Sequence, residues 1–174
     1  MSLIDDNASS NDDPALLALA VSAGAALRAR AQRLATAESC TGGWVAKCLT
    51  DVAGSSQWFE RGYVTYSNPA KQECLGVSAS VIESFGAVSS PTAEQMASGA
   101  LHASGADLAI AITGIAGPDG GSVDKPVGLV WFALAQRGRA APLVLEQHFS
   151  GDRETIRRAA VAAALRLVIT ALER

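Results

Sequence analysis

The sequence predicts an α/β domain, a three-layer α/β/α sandwich with a mixed central sheet. Short apolar runs of strand length alternate with segments of helical periodicity through the first two thirds of the chain. Two more strand-like runs then follow each other with only a short turn between them, which suits antiparallel pairing. The composition agrees: 49% of the residues are hydrophobic but only 5% aromatic. Small aliphatic side chains of this kind let helices pack closely on a sheet.

Residues 1–13 are polar and acidic and read as a flexible tail, leaving residues 14–174 as a single domain. Asp13-Pro14 starts a helix, with Asp as cap and Pro in the first turn. Ala15 to Ala31 then places Leu16, Leu19, Ala20, Ala23 and Leu27 on one face. Arg33 to Ala37 is a short strand. Gly42 to Val52 is the next helix, with Trp44, Val45, Cys48 and Leu49 inward. After the turn Ala53-Gly54-Ser55-Ser56, Phe59 to Ser67 reads as a strand. Asn68-Pro69 starts a short helix that Gly76 ends, and Ser80 to Phe85 is another helical turn. Ser90-Pro91 opens a helix with Ser90 as cap, and Gly105 closes it. Asp107 to Thr113 is a buried strand by its apolar run. Gly114 to Pro126 is a loop of functional length. Val127 to Gln136 and Val144 to Phe149 are strands joined through Arg137-Gly138-Arg139, and Asp152 to Glu173 is a terminal helix.

Charge and composition exclude several classes. The net charge is -3 and no basic stripe with interleaved aromatics appears, which excludes nucleic acid as a partner. Three cysteines without a Cys-x-x-Cys pair give neither a disulfide framework nor a zinc signature. Reduced thiols and a cytoplasmic location are expected. His102 and His148 stand apart from other ligand residues, so no metal and no cofactor are expected. The N-terminus lacks the basic and apolar regions of a signal peptide. The apolar stretch Ala159 to Leu172 is too short for a membrane span and contains Arg166, so no membrane partner is expected.

The chemistry-bearing residues gather at strand ends. Thr36-Ala37-Glu38-Ser39-Cys40-Thr41-Gly42-Gly43 reads as a strand end, a tight turn and a helix start. Backbone N–H groups there suit developing negative charge. Ser39 is either a nucleophile or a helix cap, and Cys40 is a rival nucleophile or a small buried hydrophobe. Neither histidine supplies a base. A desolvated lysine does, because burial favours its neutral form. Lys71 follows a strand end, with Tyr66 placed to relay or orient the proton, and Lys125 is the second choice of base or a phosphate contact. In the long loop, Asp119 and Asp124 offer carboxylates for sugar hydroxyls or a cation. Arg153, one residue past the cap candidate Asp152, suits a phosphate.

Four segments together carry a family resemblance. They are Ala37-Glu38-Ser39-Cys40-Thr41-Gly42-Gly43; Gly62-Tyr63-Val64-Thr65-Tyr66-Ser67-Asn68, with Lys71 and Leu75-Gly76-Val77; Thr113-Gly114-Ile115-Ala116-Gly117-Pro118, with Gly120-Gly121; and Lys125-Pro126-Val127-Gly128. In this order they resemble the CinA C-terminal domain family, from about residue 14 to the end. Gly120-Gly121-Ser122-Val123 departs from the family's commoner Gly-Gly-Thr only by serine for threonine.

The resemblance implies nicotinamide mononucleotide deamidase activity. Such enzymes hydrolyse the carboxamide to nicotinic acid mononucleotide and ammonia, a step in pyridine nucleotide recycling. It puts the catalytic serine on Ser39, the lysine on Lys71 and the tyrosine on Tyr66. Substrate contacts fall on Cys40, Thr41, Gly42 and Gly43, on Thr113 and Gly114, and on Arg153. It also implies a homo-oligomer, a dimer or larger. The alternatives are an amidase for another small amide and a nucleotide-binding or regulatory module without turnover.

Overall fold

In the computed structural model, which describes residues 11–173, the chain divides about one short strand. Leu34–Glu38 forms β1, and all of its residues are buried. It lies between β2 (Phe59–Val64) and β3 (Leu108–Gly114), parallel to both. The sheet continues antiparallel through β4 (Leu129–Gln136) and β5 (Leu143–His148), giving the order β2-β1-β3-β4-β5. The mixed five-stranded sheet is thus half parallel crossover and half meander.

Helices cover both faces. On one lie α1 (Asp13–Ala29), α2 (Trp44–Thr50) and α6 (Arg153–Leu172), packed with Leu34, Ile110, Ile112, Phe132 and the buried Trp58. On the other lie α3 (Asn68–Leu75), α4 (Ala79–Phe85) and α5 (Ser90–Ser104), packed on an alanine-rich face of Ala35, Ala37, Ala109, Ala111 and Ala133. The link from β1 to β2 runs through α2 on the first face. The link from β2 to β3 runs through α3, α4 and α5 on the second. β1 is therefore the strand at which the winding reverses. In open α/β sheets the crevice beyond the carboxyl ends of such strands is where ligands bind.

The expected elements are present with shifted ends, and the shifts have local causes. The cap of α1 is Asp12, not Asp13: its carboxylate accepts from the Ala15 N–H at 2.9 Å. The cap of α5 is Ser89, not Ser90, so Ser90 and Pro91 fill the first turn, whose N–H groups need no helical partner. β2 stops at Val64 rather than Ser67, because Ser67 caps α3 by accepting from Ala70 N–H. α2 begins at Trp44 rather than Gly42, since Gly42 and Gly43 hold positive φ of 62° and 93° and cannot lie in a right-handed helix. The tail expected over residues 1–13 lies largely outside the described residues. Among the described residues no helix is long and apolar enough to cross a membrane.

The seat of α3 depends on Gly99. A methyl group added at Gly99 of α5 would overlap the Leu75 carbonyl at the end of α3. Glycine-to-alanine exchange inside a helix ordinarily stabilises by about 1 kcal/mol. Here the overpacking penalty, roughly 1–3 kcal/mol or more, reverses the sign. Gly99→Ala is expected to lower the melting temperature by several degrees; calorimetry that found a rise would refute this reading of the α3–α5 contact.

Candidate active site

The period of two along β1 sorts its last residues to opposite faces. Glu38 points toward α2 and Ser39, next in the chain, toward α3. Their neighbours hold them there: the Ser39 N–H donates to Ile112 O at 2.9 Å and the Thr65 N–H to Glu38 O at 2.9 Å. Pairing with both β2 and β3 thus continues to the point where the chemistry begins.

Glu38 is fully buried, and its carboxylate accepts three backbone N–H groups: Gly43 at 3.0 Å, Val45 at 3.0 Å and Ala46 at 2.8 Å. The N-cap position itself, Gly43, offers no side chain. The cap of α2 is therefore a glutamate reaching back from the preceding strand, and the Ser39 hydroxyl has no capping bond. Sequence reading missed Glu38 because a cap is sought immediately before the helix. The signal available was an acidic residue closing a largely apolar strand shortly before the helix.

Ser39 faces Lys71 instead. The Lys71 side chain is almost wholly buried, and Nζ lies 3.0 Å from Ser39 Oγ, 2.8 Å from Thr65 O and 3.2 Å from Tyr66 O. Burial pushes the amine below its usual lysine range. A neutral amine has two N–H donors and one lone pair. With the two carbonyls taking the donors, the lone pair is left for the Ser39 hydroxyl proton. The neighbouring Cys40 thiol is buried and pushed up to about 12, chiefly by desolvation. A thiol must ionise to attack, so this one is held in its inert form.

The turn between Ser39 and α2 presents its own donors. Gly42 N–H is taken by Ser39 O and Gly43 N–H by Glu38. Among the described residues the N–H groups of Cys40 and Thr41 have no acceptor. Their carbonyls do have donors: Arg157 of α6 gives Nε to Cys40 O and Nη2 to Thr41 O, each at 3.0 Å, and Thr41 O also accepts the Trp44 N–H at 3.2 Å.

The other expected residues form a second group. Arg153 Nη1 donates to Gly117 O at 2.7 Å and Nη2 to the Tyr66 hydroxyl at 3.1 Å, spanning from the α3 entry to the loop after β3. Tyr66 thus meets Lys71 through its carbonyl, while its exposed ring carries the hydroxyl to Arg153. The Thr113 hydroxyl is spent on Ala87 O at 2.8 Å. Gly114 is required by packing, because a Cβ there would meet Leu129 O and Val130 of β4. Lys125 reaches Phe85 O at 2.5 Å and pins the long loop to the end of α4. No three His, Cys, Asp or Glu side chains among the described residues gather as a metal site.

Fold and site together define a doubly wound α/β domain with a serine and a buried lysine paired at its reversal point. The chain belongs to the CinA C-terminal domain family, whose sequence model matches residues 17–172. It is 56% identical over 153 residues to the nicotinamide-nucleotide amidohydrolase PncC of Escherichia coli K12, covering 88% of this chain and 92% of that protein. It is 55% identical over 152 residues to the PncC of Enterobacter agglomerans, covering 87% and 92%. Its fold matches a crystal structure of a CinA superfamily protein from Klebsiella pneumoniae with a TM-score of 0.87 at 39% identity, covering 91% of this chain and 98% of that one.

The glutamate cap is open to a direct test. Glu38→Gln keeps the shape but replaces one carboxylate oxygen with an amide donor facing backbone N–H groups. Leaving a buried donor unpaired costs about 1–3 kcal/mol. Urea unfolding should show a loss of that size, and an unchanged midpoint would remove Glu38 as the cap.

Proposed function

We propose that this protein is a nicotinamide-nucleotide amidohydrolase. It hydrolyses the carboxamide of nicotinamide mononucleotide to nicotinic acid mononucleotide and ammonia by a serine–lysine mechanism. The observation that carries the mechanism is the Lys71 Nζ to Ser39 Oγ approach of 3.0 Å, with both flanking carbonyls on the same nitrogen. The names of the relatives support the reaction and the substrate.

Lys71, neutral, takes the Ser39 proton as Oγ attacks the carboxamide carbon. The turn amides of Cys40 and Thr41 receive the developing oxyanion. The resulting tetrahedral adduct collapses when the nitrogen is protonated and leaves as ammonia. Tyr66 is the group we assign to that proton relay: its oxygen accepts from Arg153, it donates its proton to the leaving nitrogen, and it regains one from the Lys71 ammonium, which returns Lys71 to its neutral form. Water then enters with Lys71 as base, and the acyl-serine is released as the acid. Arg153 and the Thr113–Gly114 strand end form the side on which the nucleotide portion rests. The protein acts on a free nucleotide without a cofactor, as a cytoplasmic homo-oligomer.

Serine is better served here than cysteine. Ser39 needs only a base in reach, because its proton leaves as the bond forms. Cys40 needs a thiolate that burial opposes. Ser39→Ala should abolish ammonia release from nicotinamide mononucleotide while leaving the circular dichroism spectrum and melting temperature near wild type. Cys40→Ala should retain turnover. A fully active Ser39→Ala sinks the mechanism. Binding of the nucleotide by calorimetry without ammonia from the wild type would favour the non-catalytic module.

The depressed Lys71 amine sets the pH dependence of both rate and stability. The rate should rise with pH through the lowered amine value, below the ordinary 10.5, as the base becomes neutral. Stability has the same sign. Between the lowered value and 10.5 the unfolded chain holds a proton that the native state does not, so stability rises with pH across that window. Lys71→Met should lose turnover and flatten this rise in denaturation measured at several pH values; an unchanged slope would contradict the burial of a neutral amine.

A further inference from the structure

Arg157 has no place in the family resemblance or in the chemistry above, yet from α6 it hydrogen-bonds two carbonyls of the turn after Ser39. Its guanidinium sits 5.3 Å from the centroid of the Trp44 ring, at the first residue of α2. From there its Nε and Nη2 make the two 3.0 Å bonds to Cys40 O and Thr41 O. Neighbouring Arg158 also lies over Trp44, but its hydrogen bonds go to Asp13, Asn11 and Glu154 at the edge of α1 and α6. Of the two arginines, Arg157 alone grips the turn.

Peptide planarity gives that grip its consequence. In a trans peptide the N–H points opposite to the C=O of the same unit. The only cis bond among the described residues is Gly117–Pro118. Holding Thr41 O toward α6 directs the Gly42 N–H the other way, where it meets Ser39 O at 3.0 Å. Holding Cys40 O toward α6 directs the Thr41 N–H away from Arg157, and that N–H has no acceptor among the described residues. A planar fork with two fixed donors can set two successive peptide planes at once, which a single ammonium cannot.

We propose that Arg157 is a positioning residue for the hydrolysis: its two-pronged hold on the Cys40 and Thr41 carbonyls aims the Thr41 N–H at the oxygen of the substrate carboxamide. The inference rests on the amidohydrolase reading above and names a residue which that reading does not use. Arg157 does not touch the substrate. It acts on the transition state through the turn, so it governs kcat and leaves KM alone. Arg157 shares no hydrogen bond with Lys71, so the pH limb belonging to Lys71 stays in place when a lysine replaces Arg157 with the same charge.

The test is steady-state ammonia release from nicotinamide mononucleotide by the full chain and by Arg157→Lys and Arg157→Ala. Release by the wild type is the control for the underlying reading; its absence overturns that reading and the proposal with it before any variant is compared. Given an active wild type, Arg157→Lys keeps the charge and the stem over Trp44 but loses the fork. Its kcat is expected to fall on the order of 10²-fold, with KM within about twofold and the pH limb unmoved. Millimolar guanidinium is expected to restore part of kcat in Arg157→Ala and to leave the wild type unaffected. A wild-type kcat in Arg157→Lys overturns the proposal. So does a raised KM at constant kcat, which would make Arg157 a substrate contact, and so does a shifted pH limb. Should Arg157→Ala not fold, Arg157→Lys decides alone by the same three readouts.

Discussion

A buried amine without a carboxylate partner is the constraint on which the site depends. Lys71 lies in the crevice with no acidic group among its hydrogen bonds, only two carbonyls and a hydroxyl. An ammonium so placed would forfeit most of its hydration, so the neutral form is favoured. The two carbonyls that accept from it belong to consecutive residues, Thr65 and Tyr66, just past the end of β2. The chain there must be extended rather than helical, and Ser67 then caps α3. Lys71 lies one turn into that helix, so the same segment supplies both the amine and the carbonyls that orient it. Gly99 completes the arrangement by letting α5 approach close enough to seat α3.

The winding reversal at β1 explains how two neighbouring residues do unrelated work. Glu38 and Ser39 diverge to opposite faces because strand side chains alternate. On one face a helix start needs acceptors, and Glu38 supplies them for three N–H groups. On the other face the Ser39 hydroxyl lies 3.0 Å from the Lys71 amine. A conventional Ser or Asp cap accepts first-turn N–H groups; Glu38 already takes those of Val45 and Ala46, so the Ser39 hydroxyl is left for Lys71. The positive φ of Gly42 and Gly43 lets the chain enter α2 in so few residues.

What was legible in the sequence follows from range. The fold class, the element order and Asp152 as the cap of α6 rest on local periodicity and turn chemistry, and the structure has them. Caps at Asp12 and Ser89 were missed by one position because two adjacent polar residues precede each helix and only the fold decides which turns outward. Ser39 and Lys71 stood out by type and by position at strand ends. Their contact, 32 residues apart in the chain, is a product of the parallel pairing of β1 and β2. The contacts of Glu38 and Arg157 with the turn were not legible at all. The first is a charge ending a strand; the second is one of two adjacent arginines in α6, and its partners lie 116 and 117 positions away. Thr113 was legible as a strand end, but its hydroxyl goes to Ala87.

The helix α6 joins the rim of the crevice to the turn after Ser39. Arg153 and Arg157 stand four residues apart, hence on one side of the helix, and each ends on backbone carbonyls of a loop at the sheet's carboxyl edge. Arg153 reaches the outer rim, joining Tyr66 to Gly117; Arg157 reaches the inner turn. The interior of the helix is alanine-rich, with Ala160, Ala162, Ala163 and Ala164 all buried, so its axis lies close against the sheet and cannot move without opening the core. A rigid rod carrying two forked cations thus sets the rim and the turn relative to one another. Loops alone would leave that spacing free, and the proposed hydrolysis, which depends on placing an amide oxygen to within a fraction of an ångström, requires it fixed.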